Sequence, residues 1–229
     1  MSHLHLPDGV LPVWLWAAGL LAAAAINGAA LWFLRGKDLR RSVPRIGVFA
    51  GLMLVGMNLE IVPIAYHVNL AALAGIVLPP AHAVVAVTLV NLTLATMGHG
   101  GVTVTGVNAT LLSIEALSAG LIYRLARRMV QPGKAAAAST FGSLILSTGA
   151  ALGVIAAGGI DLGVVGEWGG LLGSRPGGAG FRLGDFAALL LPLAAVGWVI
   201  ETVVSASLVR FLVQVRPHLI EPPPRKAGP

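Results

Sequence analysis

From Leu11 to Leu34 the chain runs without an ionisable side chain, a stretch long enough to cross the hydrocarbon core of a bilayer as one helix. Predominantly apolar runs of spanning length recur at Ala109–Leu125, Ala135–Ala157 and Phe186–Val213. Ala81–Met97 is as long as the shortest of these, and shorter ones lie at Arg45–Met57 and Val68–Leu78. Only 10% of the residues are charged, against about 25% in a soluble domain, so the chain cannot clothe a water-facing surface. The expected fold is an all-α integral membrane protein of about seven transmembrane helices. It forms one polytopic domain over residues 1–229, with residues 1–12 as an N-terminal segment buried at the external face. Thirty glycines suit the close helix approach that packing in lipid requires.

Between the apolar runs the backbone is repeatedly broken. Asn58 to His67 is polar and interrupted by Pro63, Pro79-Pro80 ends the next short run, and Gly98-His99-Gly100-Gly101 reads as a turn. Irregular backbone at membrane depth survives only where it is buried in protein or lines a cavity. The β-branched, glycine-punctuated Val102–Asn108 is therefore expected to dip as a loop toward such a site. Pro44 is expected to open the second span.

Thirteen of the fifteen Lys and Arg residues cluster after the first span (Arg35 to Arg45), after the fifth (Arg124 to Lys134) or at the carboxyl end (Arg210 to Lys226). Such clusters mark cytoplasmic loops, which accounts for the net charge of +6 without invoking nucleic acid. An odd number of crossings follows, with the amino terminus outside and the tail, residues 217–229, in the cytoplasm. His3, His5, His67 and the Gly98–Gly101 turn then share the external end.

The first twelve residues bear on function. They lack the basic leader of a cleavable signal peptide. They place His3 and His5 near a free amine, ahead of a Pro7-Asp8-Gly9 turn. Amine, amide and imidazole nitrogens so close together can wrap one divalent ion, and such ligation suits Ni(II), Cu(II) and Co(II). With no cysteine in the chain, thiolate ligation is excluded. His67, in polar backbone between spans, is a further candidate ligand, since ionisable residues within the membrane are rare and usually functional. A neutral ligating imidazole needs a partner on its other nitrogen; Asn69, Asn108, Thr103, Thr105 and Glu60 are candidates. His99 gates the site or closes a turn, Asp8 caps the turn that aims the terminus, and His82 is structural. Glu115 and Glu201, inside helices, are expected to pair with a partner helix.

Taken together, His5-Leu6-Pro7-Asp8-Gly9, Tyr66-His67-Val68-Asn69-Leu70, the stretch from Gly98-His99-Gly100-Gly101-Val102-Thr103 to Gly106-Val107-Asn108, and Glu201-Thr202 with Arg216-Pro217 resemble the CbiM/NikM family. These are the substrate-binding membrane components of energy-coupling-factor transporters for cobalt and nickel, and the resemblance covers nearly the whole chain. It implies a square of nitrogens around the ion: the terminal amine, the amide and imidazole of the second residue, and the imidazole of His67. Here Ser2, His3 and Leu4 stand ahead of the family's usual start. If Met1 is removed, Ser2 supplies the amine and His3 the amide and imidazole; if Pro7-Asp8-Gly9 sets the depth, His5 is the ligand. The resemblance also implies a multi-pass protein of the plasma membrane with cobalt or nickel as transported substrate and no enzymatic cofactor. Its implied partners are a membrane coupling subunit and two cytoplasmic ATPases, with room for a small auxiliary membrane subunit. Two other function classes are open on the residues alone. A stand-alone channel or proton-coupled carrier would use Glu115 and Glu201. An intramembrane hydrolase is disfavoured because neither His-Glu-x-x-His nor Gly-x-Ser-x-Gly occurs.

Overall fold

The protein is described here by a computed structural model, which covers residue 6 and residues 8–59, 67–159 and 183–220. Seven α-helices and a closing 3-10 turn make up the regular structure, and no strand occurs among the described residues. Helix α1 (Val13–Leu34) is the least buried of them. It exposes Val13, Trp14, Leu21, Trp32 and Phe33, an apolar face that marks contact with lipid.

Helix α2 (Leu39–Asn58) begins upstream of the expected position. Asp38 accepts a hydrogen bond from the Arg40 amide at 3.0 Å, and this cap starts the helix one turn and more before Pro44, which ends up inside it. Helix α4 (Pro80–Thr96) and helix α6 (Pro132–Gly158) do open on proline, where the missing N–H has no intrahelical partner to lose. Helix α5 starts at Thr105 and runs to Ala126, so the second half of the expected Val102–Asn108 loop is helical. Helix α7 spans Leu183–Val215, and a 3-10 turn at Pro217–Leu219 closes the described chain.

α1, α5, α6 and the Leu190–Val215 part of α7 are each long and apolar enough to cross a membrane. α5 is the central helix, packed against α1, α4 and α6, while α7 lies along α6. Approach between α1 and α5 is close enough that a Cβ on Gly106 would fall against the Leu20 backbone.

The remaining crossing is composite. Helix α3 has only seven residues, Ala71–Val77, about 10 Å at 1.5 Å per residue. Extended residues from His67 lead into it, and Leu78-Pro79 hand over to α4. α4, of 17 residues, rises about 25 Å back to the same end, where the His67 and His99 rings meet. Residues 67–79 thus run beside α4 with a non-helical upper part, His67 to Leu70, and the helix α3 below it. Burial explains why this can exist in lipid: Asn69 and Ala71 to Ala74 are almost wholly enclosed, and α3 packs on α5, where a Cβ on Gly75 would coincide with the Ala116 carbonyl.

Candidate metal centre

Three segments converge at one end of the bundle. The first is the strapped start of the chain. Leu6 is fully buried, and Asn108 in the first turn of α5 grips its backbone on both sides. The Leu6 N–H donates to Asn108 Oδ1 at 3.1 Å, and Asn108 Nδ2 donates to the Leu6 carbonyl at 3.2 Å. The Gly101 N–H reaches the same carbonyl at 3.1 Å. Two residues on, the Asp8 carboxylate accepts from Val102 N–H at 2.9 Å, Thr103 N–H at 2.7 Å and the Thr103 hydroxyl at 2.5 Å. These bonds, the Thr103 hydroxyl foremost, hold the Asp8 carboxyl below its ordinary pKa. Gly101 lies so close to Asp8 that no side chain fits there.

The second segment is the turn after α4. The His99 N–H bonds to Leu94 O at 2.9 Å and Gly98 N–H to Ala95 O at 3.3 Å, with Gly98 at φ 82°, a left-handed helix end of the kind glycine favours. This termination presents His99 at the surface. The third segment carries His67, half-buried, with its ring edge-on to His99 at a centroid separation of 6.1 Å.

Below His67 the backbone is held by side chains from across the bundle. The Val68 N–H donates to the Gly56 carbonyl of α2 at 3.3 Å. Glu201 Oε1 of α7 accepts from two successive amides, Asn69 at 2.8 Å and Leu70 at 2.9 Å. Asn69 Nδ2 donates to Glu115 Oε1 of α5 at 2.8 Å, and Ser147 of α6 bonds Glu115 Oε2 at 3.1 Å. Leu70 sits at φ 60°, the one non-glycine residue with positive φ among those described. A left-handed leucine costs about 1–2 kcal/mol, and two amides converging on one carboxylate oxygen offset that cost.

The expected site residues are placed as follows. Ser2, His3 and His5 lie outside the described residues, as does Glu60, but Leu6 fixes where the terminus approaches: beside Gly101, at the end that holds His67 and His99. Asn108 and Thr103 bond to the Leu6 backbone and to Asp8, and so secure the strapped start of the chain. Thr105 accepts from Asn91 Nδ2 through its carbonyl and hydroxyl, at 2.8 and 2.9 Å. Asn69 is committed to Glu115 and, through Oδ1, to the Ala71 N–H at 3.3 Å. His82 Nε2 pairs with Ser42 Oγ at 3.0 Å, tying α4 to α2. Glu115 and Glu201, expected to await a partner helix, are engaged within this chain. Sequence reasoning missed that role because the bonds join residues more than a hundred positions apart or on different helices. The one available signal was two carboxylates lodged in apolar runs. Among the described residues no group of three or more His, Asp or Glu side chains could hold a metal.

Fold and site define a polytopic helical membrane protein whose Leu6 and Asp8 are strapped beside the turn that carries His99, the ring facing His67. The chain belongs to the family of the cobalt uptake substrate-specific transmembrane region, whose model matches residues 5–219. Its fold is shared with a solved transition metal transporter at 20% identity, with 93% of each chain covered and a TM-score of 0.73. A truncated transition metal transporter matches at 19% identity over 92% of this chain and 99% of its own, with a TM-score of 0.72. No curated protein matches the sequence.

Proposed function

We propose that this chain is the substrate-capturing subunit of an ATP-driven, energy-coupling-factor importer for cobalt or nickel. What supports this reading is that Leu6 and Asp8 are strapped to Gly101, Val102 and Thr103, next to His99, whose ring lies against the His67 ring. In one register the Ser2 amine and the His3 amide and imidazole nitrogens complete a four-nitrogen set with His67, a donor set suited to Ni(II) and Co(II); in the other, His5 is the ligand and the amine is displaced. Family membership supports metal uptake as the task. The chain contains no Gly-x-x-x-x-Gly-Lys-[Ser/Thr] phosphate loop, so the energy comes from two cytoplasmic ATPases through a membrane coupling subunit, with an auxiliary membrane subunit as a further partner. The metal end faces outward and the Arg- and Lys-rich end faces the cytoplasm, following the distribution of basic residues.

Metal content of the purified protein tests this. His67→Ala removes one of four ligands and is expected to abolish stoichiometric cobalt or nickel retention while the protein stays folded in detergent. Unchanged metal in that variant defeats the assignment. His3→Ala and His5→Ala, measured alongside, tell which imidazole joins it.

A further inference from the structure

We propose that Glu201 is a positioning residue for metal capture, acting through the backbone that carries His67. The proposal rests on the reading of His67 as a ligand. His67 stands two residues before the corner at Asn69–Leu70, and that corner has an uncommon shape: Leu70 is left-handed at φ 60°. Both backbone amides of the corner, those of Asn69 and Leu70, are accepted by one oxygen of one side chain, Glu201 Oε1. Glu201 is fully buried in α7, a helix that otherwise packs chiefly on α6. Glu115 braces the corner from α5 through Asn69 Nδ2. The height and direction of the His67 imidazole are therefore set from α7, on the far side of the composite crossing.

Coupling of this kind is reciprocal. Metal bound at His67 steadies the Glu201 clasp, and a displacement of α7 that opens the clasp lowers affinity at His67. No contact between Glu201 and the ion is involved. The role asks for an acceptor oxygen at a fixed reach and does not ask for charge as such.

That distinction gives the test. The full chain in detergent is titrated with Ni(II) or Co(II) while the ligand-field absorption is recorded, for wild type, Glu201→Asp, Glu201→Gln and His67→Ala. Glu201→Asp keeps the charge but draws the oxygen back by one methylene. It is expected to lower affinity about 10- to 100-fold, as loss of an outer partner of a metal ligand does, and to shift the spectrum. Glu201→Gln keeps the acceptor oxygen in place and is expected to lose less than about fivefold, the difference between a charged and a neutral acceptor, with an unshifted spectrum. Loss in Glu201→Gln overturns the proposal, whether or not Glu201→Asp folds. So does a Glu201→Asp protein with wild-type affinity and spectrum, even if its apo form melts lower. Wild-type binding by His67→Ala instead removes the functional reading itself, which keeps the two failures apart.

Discussion

Asn108→Ala is the sharpest perturbation of the strap. The side chain makes two bonds to the buried backbone of Leu6, at 3.1 and 3.2 Å. Truncation leaves the Leu6 N–H without its partner in a site closed to water, which costs about 1–3 kcal/mol. The Leu6 carbonyl keeps its bond from Gly101 at 3.1 Å, so the second loss is an ordinary one of about 1 kcal/mol. The sum, about 2–4 kcal/mol, is what the strapped state loses against the unstrapped one. With the metal-free terminus exchanging between the two states and the ion binding only the strapped form, affinity falls by up to the same amount, up to about 30- to 700-fold at 1.4 kcal/mol per tenfold. Calorimetric titration of the full chain with Ni(II) or Co(II) reads this directly. Melting of the apo protein should change little, because Asn108 sits in the first turn of α5 and the bundle beneath it is untouched. An affinity within threefold of wild type would refute the idea that the strap prepares the site, as would a collapse of apo stability.

The close contact of α3 with α5 predicts a contrast between two glycines. Gly75→Ala drives a methyl into the Ala116 backbone, which cannot yield, and is expected to destabilise by about 3 kcal/mol; Gly149→Ala, with open space around it, should be neutral or slightly stabilising. Thermal melts in detergent followed by circular dichroism compare the two, and equal melting temperatures would discount the packing argument. At Asp8 the pKa is lowered in the folded protein from 3.8, so its contribution is fully present above that value and is lost as pH falls through the lower folded one. The difference in metal affinity between wild type and Asp8→Asn should therefore hold steady down to about pH 5, measured by titration across pH, and a difference that fades near neutrality would contradict the bonding seen to Thr103.

Much of the bundle was legible because lipid imposes a simple rule: apolar runs become helices, and breaks in them must be sheltered. Leu11–Leu34, Ala135–Ala157 and Phe186–Val213 show it, each falling within or nearly within an observed helix. The polar stretch from Asn58 to His67 pointed to irregular backbone; residues 60–66 of it lie outside the described residues, and residues 67–70 just beyond are non-helical. Local capping was less visible. Asp38 outcompeted Pro44 for the start of α2, and Thr105 began α5 where β-branched residues suggested a loop. The grip of Asn108 on Leu6 and the clasp of Glu201 on Asn69 and Leu70 left no trace in periodicity, since neither partner's neighbours in sequence betray a bond so distant. Of the side chains expected to orient imidazoles, Asn108 grips the Leu6 backbone, Thr103 bonds the Asp8 carboxylate and Asn69 bonds the Glu115 carboxylate.

The composite crossing also constrains how the protein is made. Residues 67–79 cannot enter the bilayer as an autonomous helix, for their upper half has amides that find acceptors only on other segments. The acceptor for Asn69 and Leu70 lies 132 and 131 positions downstream, in the last helix to leave the ribosome. Until α7 is threaded, this crossing has no stable home in the membrane. Leu6, at the opposite extreme, waits 102 positions for Asn108. A chain stalled or cleaved before α7 would carry every histidine at the metal end and still present no ordered place for His67.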